Sequence, residues 1–187
     1  MVTVKVFDGS SEPSYIIESR NDTTLIATEN INYSTFKDIV EDLKTDRFDH
    51  IIVCSLKDAD TDMYSEYSDD ITVISDTGCY ENDLFAINTQ VSKRQMSCVI
   101  DISGVRIGFN HNKADMSGKD LDFYFFGSSA PKSVQAYNCY YFYPVIKKNI
   151  DLVTDTQAKE LYNIIEIKIK NGRYSIVKDV KNFGSGL

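Results

Sequence analysis

Ile51-Ile52-Val53-Cys54 and Ile71-Thr72-Val73-Ile74 are two short, β-branched apolar runs, and Lys57-Asp58-Ala59-Asp60-Thr61-Asp62-Met63-Tyr64-Ser65-Glu66-Tyr67-Ser68-Asp69-Asp70 lies between them. Each run has strand length and reads as a buried strand. The connection between them is rich in carboxylates: from Asp58 to Ser92 there are nine acidic residues and no Lys or Arg. An uncompensated carboxylate is costly to desolvate, so the loop is expected to face water, a cation or a basic partner.

Working outward, residues 2 to 7, 14 to 19 and 23 to 28 read as strands separated by turn-forming residues. Ser34 is a good N-cap, and Phe36, Ile39, Val40 and Leu43 follow at helical spacing, which predicts one amphipathic helix of about three turns. Past the acidic loop, strands are expected over 84 to 89, 97 to 102 and 105 to 109. A polar loop covers 110 to 120, and an aromatic stretch runs from Leu121 to Tyr143, closed by Pro144. Thr154-Asp155-Thr156-Gln157 has the form of a capping box and predicts a short second helix through Leu161. Ile165, Ile167 and Ile169 alternate with Glu166, Lys168 and Lys170 before Asn171-Gly172, a hairpin with a type I′ turn.

The pattern predicts an α+β fold, mainly antiparallel β, as a sandwich or partly closed barrel of about eleven strands with one amphipathic and one short helix. A single globular domain over residues 1–187 is expected at this length, with 110–120 the best place for a boundary and 182–187 a flexible tail. The hydrophobic fraction of 42% and the 22 aromatics, 10 Phe and 12 Tyr, exclude a largely disordered chain. Cys54, Cys79, Cys98 and Cys139 form no C-x-x-C, and the amino terminus alternates like a strand and does not resemble a signal peptide. The reading is a soluble cytoplasmic protein with reduced thiols. The net charge of −8 is uneven: residues 1 to 92 carry 19 acids and 6 bases, and residues 93 to 187 carry 9 acids and 14 bases. Either the chain has an acidic and a basic pole, or strands of the two halves interleave.

Candidate chemistry centres on the acidic loop. Asp58, Asp60, Asp62, Tyr64, Glu66 and Asp69 fall at positions 1, 3, 5, 7, 9 and 12 of a D-x-D-x-D loop, the spacing of EF-hand ligands, so Asp58, Asp60, Asp62, Glu66 and Asp69 are the candidate ligands for Ca or Mg. Against this, Met63 stands where the turn needs Gly, Asp69 is shorter than the usual final Glu, and the flanks read as strands. Glu166-Ile167-Lys168 resembles half of a metal-dependent nuclease motif, with Asp151 or Asp155 as its missing acid, but an alternating E-x-K on the wet face of a hairpin is the commoner explanation. Cys54 with His50 or His111 is a weak nucleophile–base pairing, because His50 lies about 13 Å along the same strand. Gly127 to Ser133 lacks the second Gly of a phosphate-binding loop.

No motif of a named family is present, and the composition, heavy in Asn, Asp, Lys, Ile and Tyr, suits proteins encoded by phages or other mobile elements. The residues alone therefore point to a non-catalytic acidic interaction module, a viral structural protein or inhibitor whose Asp58, Asp60, Asp62, Glu66, Asp69 and Asp70, with Tyr64 and Tyr67 as anchors, meet a protein partner with a basic surface or a second copy of the chain. A divalent-metal protein or a metal-dependent nuclease is the alternative. Direct nucleic-acid binding is disfavoured by the acidic balance.

Overall fold

A computed structural model describes residues 1–8, 13–28, 33, 36–37, 40–41, 44–45, 47–56, 59, 61–111, 120–125, 140–144, 159–162 and 164–179. Fourteen strands stand among them: β1 (Val2–Asp8), β2 (Pro13–Glu18), β3 (Thr23–Thr28), β4 (His50–Cys54), β5 (Ile71–Ile74), β6 (Gly78–Glu81), β7 (Ala86–Ser92), β8 (Gln95–Ile102), β9 (Val105–His111), β10 (Phe123–Phe125), β11 (Tyr140–Pro144), β12 (Lys159–Tyr162), β13 (Ile164–Lys170) and β14 (Arg173–Asp179). They form two seven-stranded sheets, ordered β14-β13-β1-β2-β3-β4-β5 and β12-β11-β10-β9-β8-β7-β6.

This corrects the expected α+β class. The described chain is nearly all β, the sheets are mixed, and no barrel closes. Strands β3, β4 and β5 run parallel, as do β9, β10, β11 and β12, whereas the other pairs are antiparallel. Apolar runs report burial but carry no information on strand direction, which the connections decide. No helix of seven residues or more stands among the described residues. Tyr33, Phe36, Lys37, Val40 and Glu41 have helical backbone without a continuous described helix around them. The second expected helix is contradicted at its end, where Lys159, Glu160 and Leu161 lie in β12. No described helix is long and apolar enough to cross a membrane.

Periodicity explains which faces are buried. The space between the sheets is filled by alternate residues: Val4 and Val6 from β1, Tyr15 and Ile17 from β2, Ile100 and Ile102 from β8, Ile107 and Phe109 from β9, and Ile165, Ile167 and Ile169 from β13. Tyr15 from the first sheet meets Phe109 and Phe125 from the second, at ring-centre distances of 4.9 and 5.9 Å. The first sheet also buries its other face, where Phe7, Ile16, Leu25, Ala27, Ile51 and Val53 pack with Phe36, Val40, Phe48 and Tyr64. Its central strands consequently read as unbroken apolar runs. Strand β13, from the basic half of the chain, pairs with β1 and carries β14 on its outer side, so both halves contribute to the first sheet.

Three two-residue hairpin turns have both central residues at positive φ, the type I′ geometry: Lys93-Arg94 (50° and 61°), Ser103-Gly104 (53° and 85°) and Asn171-Gly172 (52° and 68°). Glycine removes the steric penalty that a side chain adds there, about 1 kcal/mol or more per residue, and Lys93-Arg94 bears it twice. At Gly172 a second constraint acts, because a Cβ would stand 3.2 Å from the carbonyl oxygen of Ser103 in the adjacent turn. Gly172→Ala is therefore expected to destabilise the protein by about 1 kcal/mol or more, read as a lower urea midpoint at an unchanged m-value. Gly78→Ala has open space and ordinary φ, and is the control that leaves the stability within about 0.5 kcal/mol of wild type.

Candidate functional site

The parallel strands β3, β4 and β5 begin side by side, with Thr24 opposite His50 and Ile51 opposite Ile71. An aspartate precedes or opens each: Asp22 before β3, Asp49 before His50, and Asp70 before β5. The main-chain N–H of Thr23 donates to Asp49 Oδ2 at 2.8 Å, the N–H of Asp49 donates to the carbonyl of Thr23 at 2.9 Å, and the N–H of Ile51 donates to the carbonyl of Asp70 at 2.9 Å. These bonds close donors that the strand starts would leave unpaired.

His50 stands in the middle of this row. Its Nδ1 lies 2.7 Å from Asp70 Oδ2, and its Nε2 lies 3.5 Å from Asp22 Oδ2. An ionised carboxylate only accepts, so Nδ1 carries the hydrogen of the short bond. In the neutral ring that leaves Nε2 as an acceptor, with the Asp22 carboxylate, a second acceptor, 3.5 Å away. Asp22 is held from behind by the Thr24 hydroxyl, which donates to its Oδ1 at 2.9 Å. The Asp70 backbone N–H donates to Ser68 Oγ at 3.1 Å. Tyr80, on β6 of the other sheet, feels the same charges: burial first, then Asp70 and Asp22, push its hydroxyl above the usual tyrosine value, so it stays an O–H donor. A cleft of about 270 Å³ opens beside the row, lined by Arg47, Phe48, Asp49, Asp69 and Asp70.

The acidic loop is organised differently from the EF-hand expectation. Asp62–Tyr64 is a single 3-10 turn, closed by the Ser65 hydroxyl donating to the carbonyl of Asp62 at 2.7 Å. The carbonyl of Tyr64, which would be the seventh-position ligand, already accepts from the N–H groups of Tyr67 and Ser68 at 2.9 and 3.1 Å. The Tyr64 ring is buried and packs edge-on against Phe36, 5.3 Å between centres, and Tyr67 meets the same ring at 4.9 Å. Both tyrosines thus anchor the loop to its own sheet. Asp69 pairs with Arg47, and Asp70 with His50. Asp62 and Glu66 are exposed, and Asp58 and Asp60 lie outside the described residues. Among the described residues, no group of three His, Cys, Asp or Glu side chains is placed to hold a metal ion.

The other candidates are not brought together. Cys54 is buried in the core between the sheets, while His50 faces the carboxylates at the far end of β4. Glu166 and Lys168 pair with each other at 3.1 Å on the half-exposed face of β13. Asp151, Asp155, residues 127–133 and the side chain of His111 lie outside the described residues. The grouping around His50 escaped the sequence reading, although its signal is visible: three segments that become neighbouring strands each begin at an aspartate.

No family model matches the chain, and no curated protein matches it. Six chains in solved structures are similar. One, from Thermotoga maritima, is described as a zinc-dependent hydrolase of the metallo-β-lactamase superfamily; it matches with a TM-score of 0.47 at 9% identity over 86% of this chain and 90% of that one. Another, a metallo-β-lactamase from Staphylococcus aureus, gives 0.33 at 10% identity over 57% of this chain and 40% of that one. The expected non-catalytic acidic module is corrected by the loop's own contacts: Asp69 pairs with Arg47 and Asp70 is hydrogen-bonded to His50, so these two carboxylates have partners within the chain. No residue role is carried over from either neighbour.

Burial pushes the Tyr64 hydroxyl far above its ordinary value of 10.0. A raised folded-state value means that the unfolded chain ionises first, so stability is full below pH about 10 and falls as pH rises beyond it. Tyr64→Phe is expected to flatten this alkaline decline, measured as urea midpoints at pH 8 and at pH about 11. An equal decline in the variant would place the ring in water.

Proposed function

We propose that the chain is a proton-transferring enzyme whose reacting group is His50. The observation that carries this reading is the imidazole held at Nδ1 by Asp70, 2.7 Å away, with Nε2 turned to Asp22, while an open cleft lined by Arg47, Phe48, Asp49, Asp69 and Asp70 lies beside Asp70. A hydroxyl, amine or water hydrogen-bonded to Nε2 would give its proton to the ring, and Asp70 would hold the ring's tautomer and orientation while it did so. Tyr80, kept protonated, would donate to the oxygen or nitrogen that departs. The cleft is small, and three carboxylates face one guanidinium in its lining, which favours a compact hydroxyl- or amine-bearing substrate over a polyanion. Hydrolysis with His50 as base toward water is the reaction that uses all of these groups.

The named neighbours raise the question of zinc. The described residues do not fit such a centre: the chain has two histidines, and both ring nitrogens of His50 are turned to carboxylates. No step here runs through a metal.

The row of aspartates also favours a second reading, in which His50 ties the starts of three strands together and its value is structural. The two separate in one experiment. A panel of chromogenic ester, amide and glycoside substrates is expected to include one that is turned over, with turnover reduced at least about 100-fold in His50→Gln and in Asp70→Asn while the urea midpoint changes little. Absence of turnover across the panel, or turnover indifferent to His50, overturns the catalytic reading. A large fall in the midpoint alone supports the tie.

A further inference from the structure

The first sheet ends on one side at β5, and no described strand pairs with its far edge. The N–H of Ile51 donates to the carbonyl of Asp70 and the N–H of Ser55 to that of Ile74, so the even-numbered residues of β5 bond to β4. By the alternation of a strand, the main-chain N–H and C=O groups of Ile71 and Val73 point away from the sheet. Edges of natural sheets are guarded against strand addition by shortness, Lys, Pro, a bulge or a covering element. β5 is short, four residues, but it holds no Lys or Pro, pairs with β4 without a bulge, and leaves Val73 42% exposed. Ser75-Asp76-Thr77 then leads directly to β6, the edge of the second sheet, so both sheets end on this side. Ser75 to Cys79, Glu81 and Asp83 are exposed. Among the described residues Asp76, Glu81 and Asp83 have no ion-pair partner, and no Lys or Arg occurs from Asp58 to Ser92.

We propose that β5 is a docking edge for an extended basic peptide, which adds to the first sheet as a further strand through the main-chain groups of Ile71 and Val73. Strand addition takes its affinity from main-chain bonds and its selectivity from alternate side chains. Val73 would meet an apolar side chain of the peptide, and the field of Asp76, Glu81 and Asp83 would select Lys or Arg at the positions between. The same charges disfavour a second copy of the chain as occupant: two β5 strands meeting about a twofold axis would bring Asp76 of each toward Asp69 and Asp70 of the other, with no added cation. The docking edge uses neither Asp69 nor Asp70, which already have Arg47 and His50, and does not depend on the reading given to His50.

The test is fluorescence anisotropy of a labelled peptide of alternating lysine and valine, beside its glutamate–valine counterpart and a form N-methylated throughout its backbone. Wild type is expected to bind the lysine–valine peptide, and to bind the other two at least about tenfold more weakly, since one has the wrong charge and the other lacks main-chain donors. Val73→Pro removes an N–H that points away from β4 and leaves the ladder intact, and is expected to lose at least about tenfold in affinity at an unchanged melting temperature. Asp76→Asn keeps the edge and is expected to lose about twofold to fivefold, with a weaker dependence on salt. If Val73→Pro melts lower, the N-methylated peptide decides the same question on wild-type protein. No binding by wild type, or equal binding of the N-methylated peptide, overturns the proposal. Dimers or larger species of the protein alone in sedimentation, returned to monomer by Val73→Pro, also overturn it, because a second copy then occupies the edge.

Discussion

The whole arrangement depends on one dry interface, the layer in which side chains from two seven-stranded sheets meet. Tyr15 crosses that layer from β2 to contact Phe109 and Phe125, with Val4, Val6, Ile52, Ile100, Ile107 and Ile167 packed in the same layer. Each buried ring or branched side chain contributes about 1.5–3 kcal/mol, so this layer outweighs any of the exposed ion pairs, whose individual worth is about 0–1 kcal/mol. The strand that seals it comes from far along the sequence: β13 pairs with β1, joining residues Ile164–Lys170 to Val2–Asp8.

Burial on both faces of the first sheet then places the polar chemistry. With Leu25, Ile51 and Val53 covered by Phe36, Val40 and Tyr64 on one side, and Ile26 and Ile52 covered by the second sheet on the other, the only partly exposed residues of β3 and β4 are the first of each, Thr23 and His50. Parallel neighbours expose their unpaired N–H groups together at one end, which is where Asp22, Asp49 and Asp70 lie and where His50 is held between two of them. The acidic loop gains its shape from the same cause. Tyr64 and Tyr67 pin it to Phe36, and its described carboxylates are not gathered about a point.

Much of the strand pattern was legible. The alternation of Ile165, Ile167 and Ile169 and the turn at Asn171-Gly172 match β13 and β14, and the runs at Ile51 to Cys54 and Ile71 to Ile74 are strands as read. Strand direction was not legible, because an apolar run buried on both faces looks the same in parallel and antiparallel company. That gap cost the site as well: Asp22, Asp49 and Asp70 are 27 and 21 positions apart in the sequence and become neighbours only when three strands start at the same end. Counting carboxylates in the loop drew attention to Asp58, Asp60 and Asp62, whereas the described contacts involve Asp69 and Asp70 with Arg47 and His50, bases that precede the loop and were not weighed as its partners. Spacing alone likewise could not reveal that the Tyr64 carbonyl is occupied by Tyr67 and Ser68.

If the shared layer is what holds both sheets, they must open together. Native-state hydrogen exchange tests this most directly, comparing the amides of β2 and β3 in the first sheet with those of β8 and β9 in the second under rising denaturant. The account predicts that both sets merge into one global opening with the same free energy and the same denaturant dependence. Exchange of β8 and β9 through a separate, lower-energy opening while β2 and β3 remain protected would contradict it.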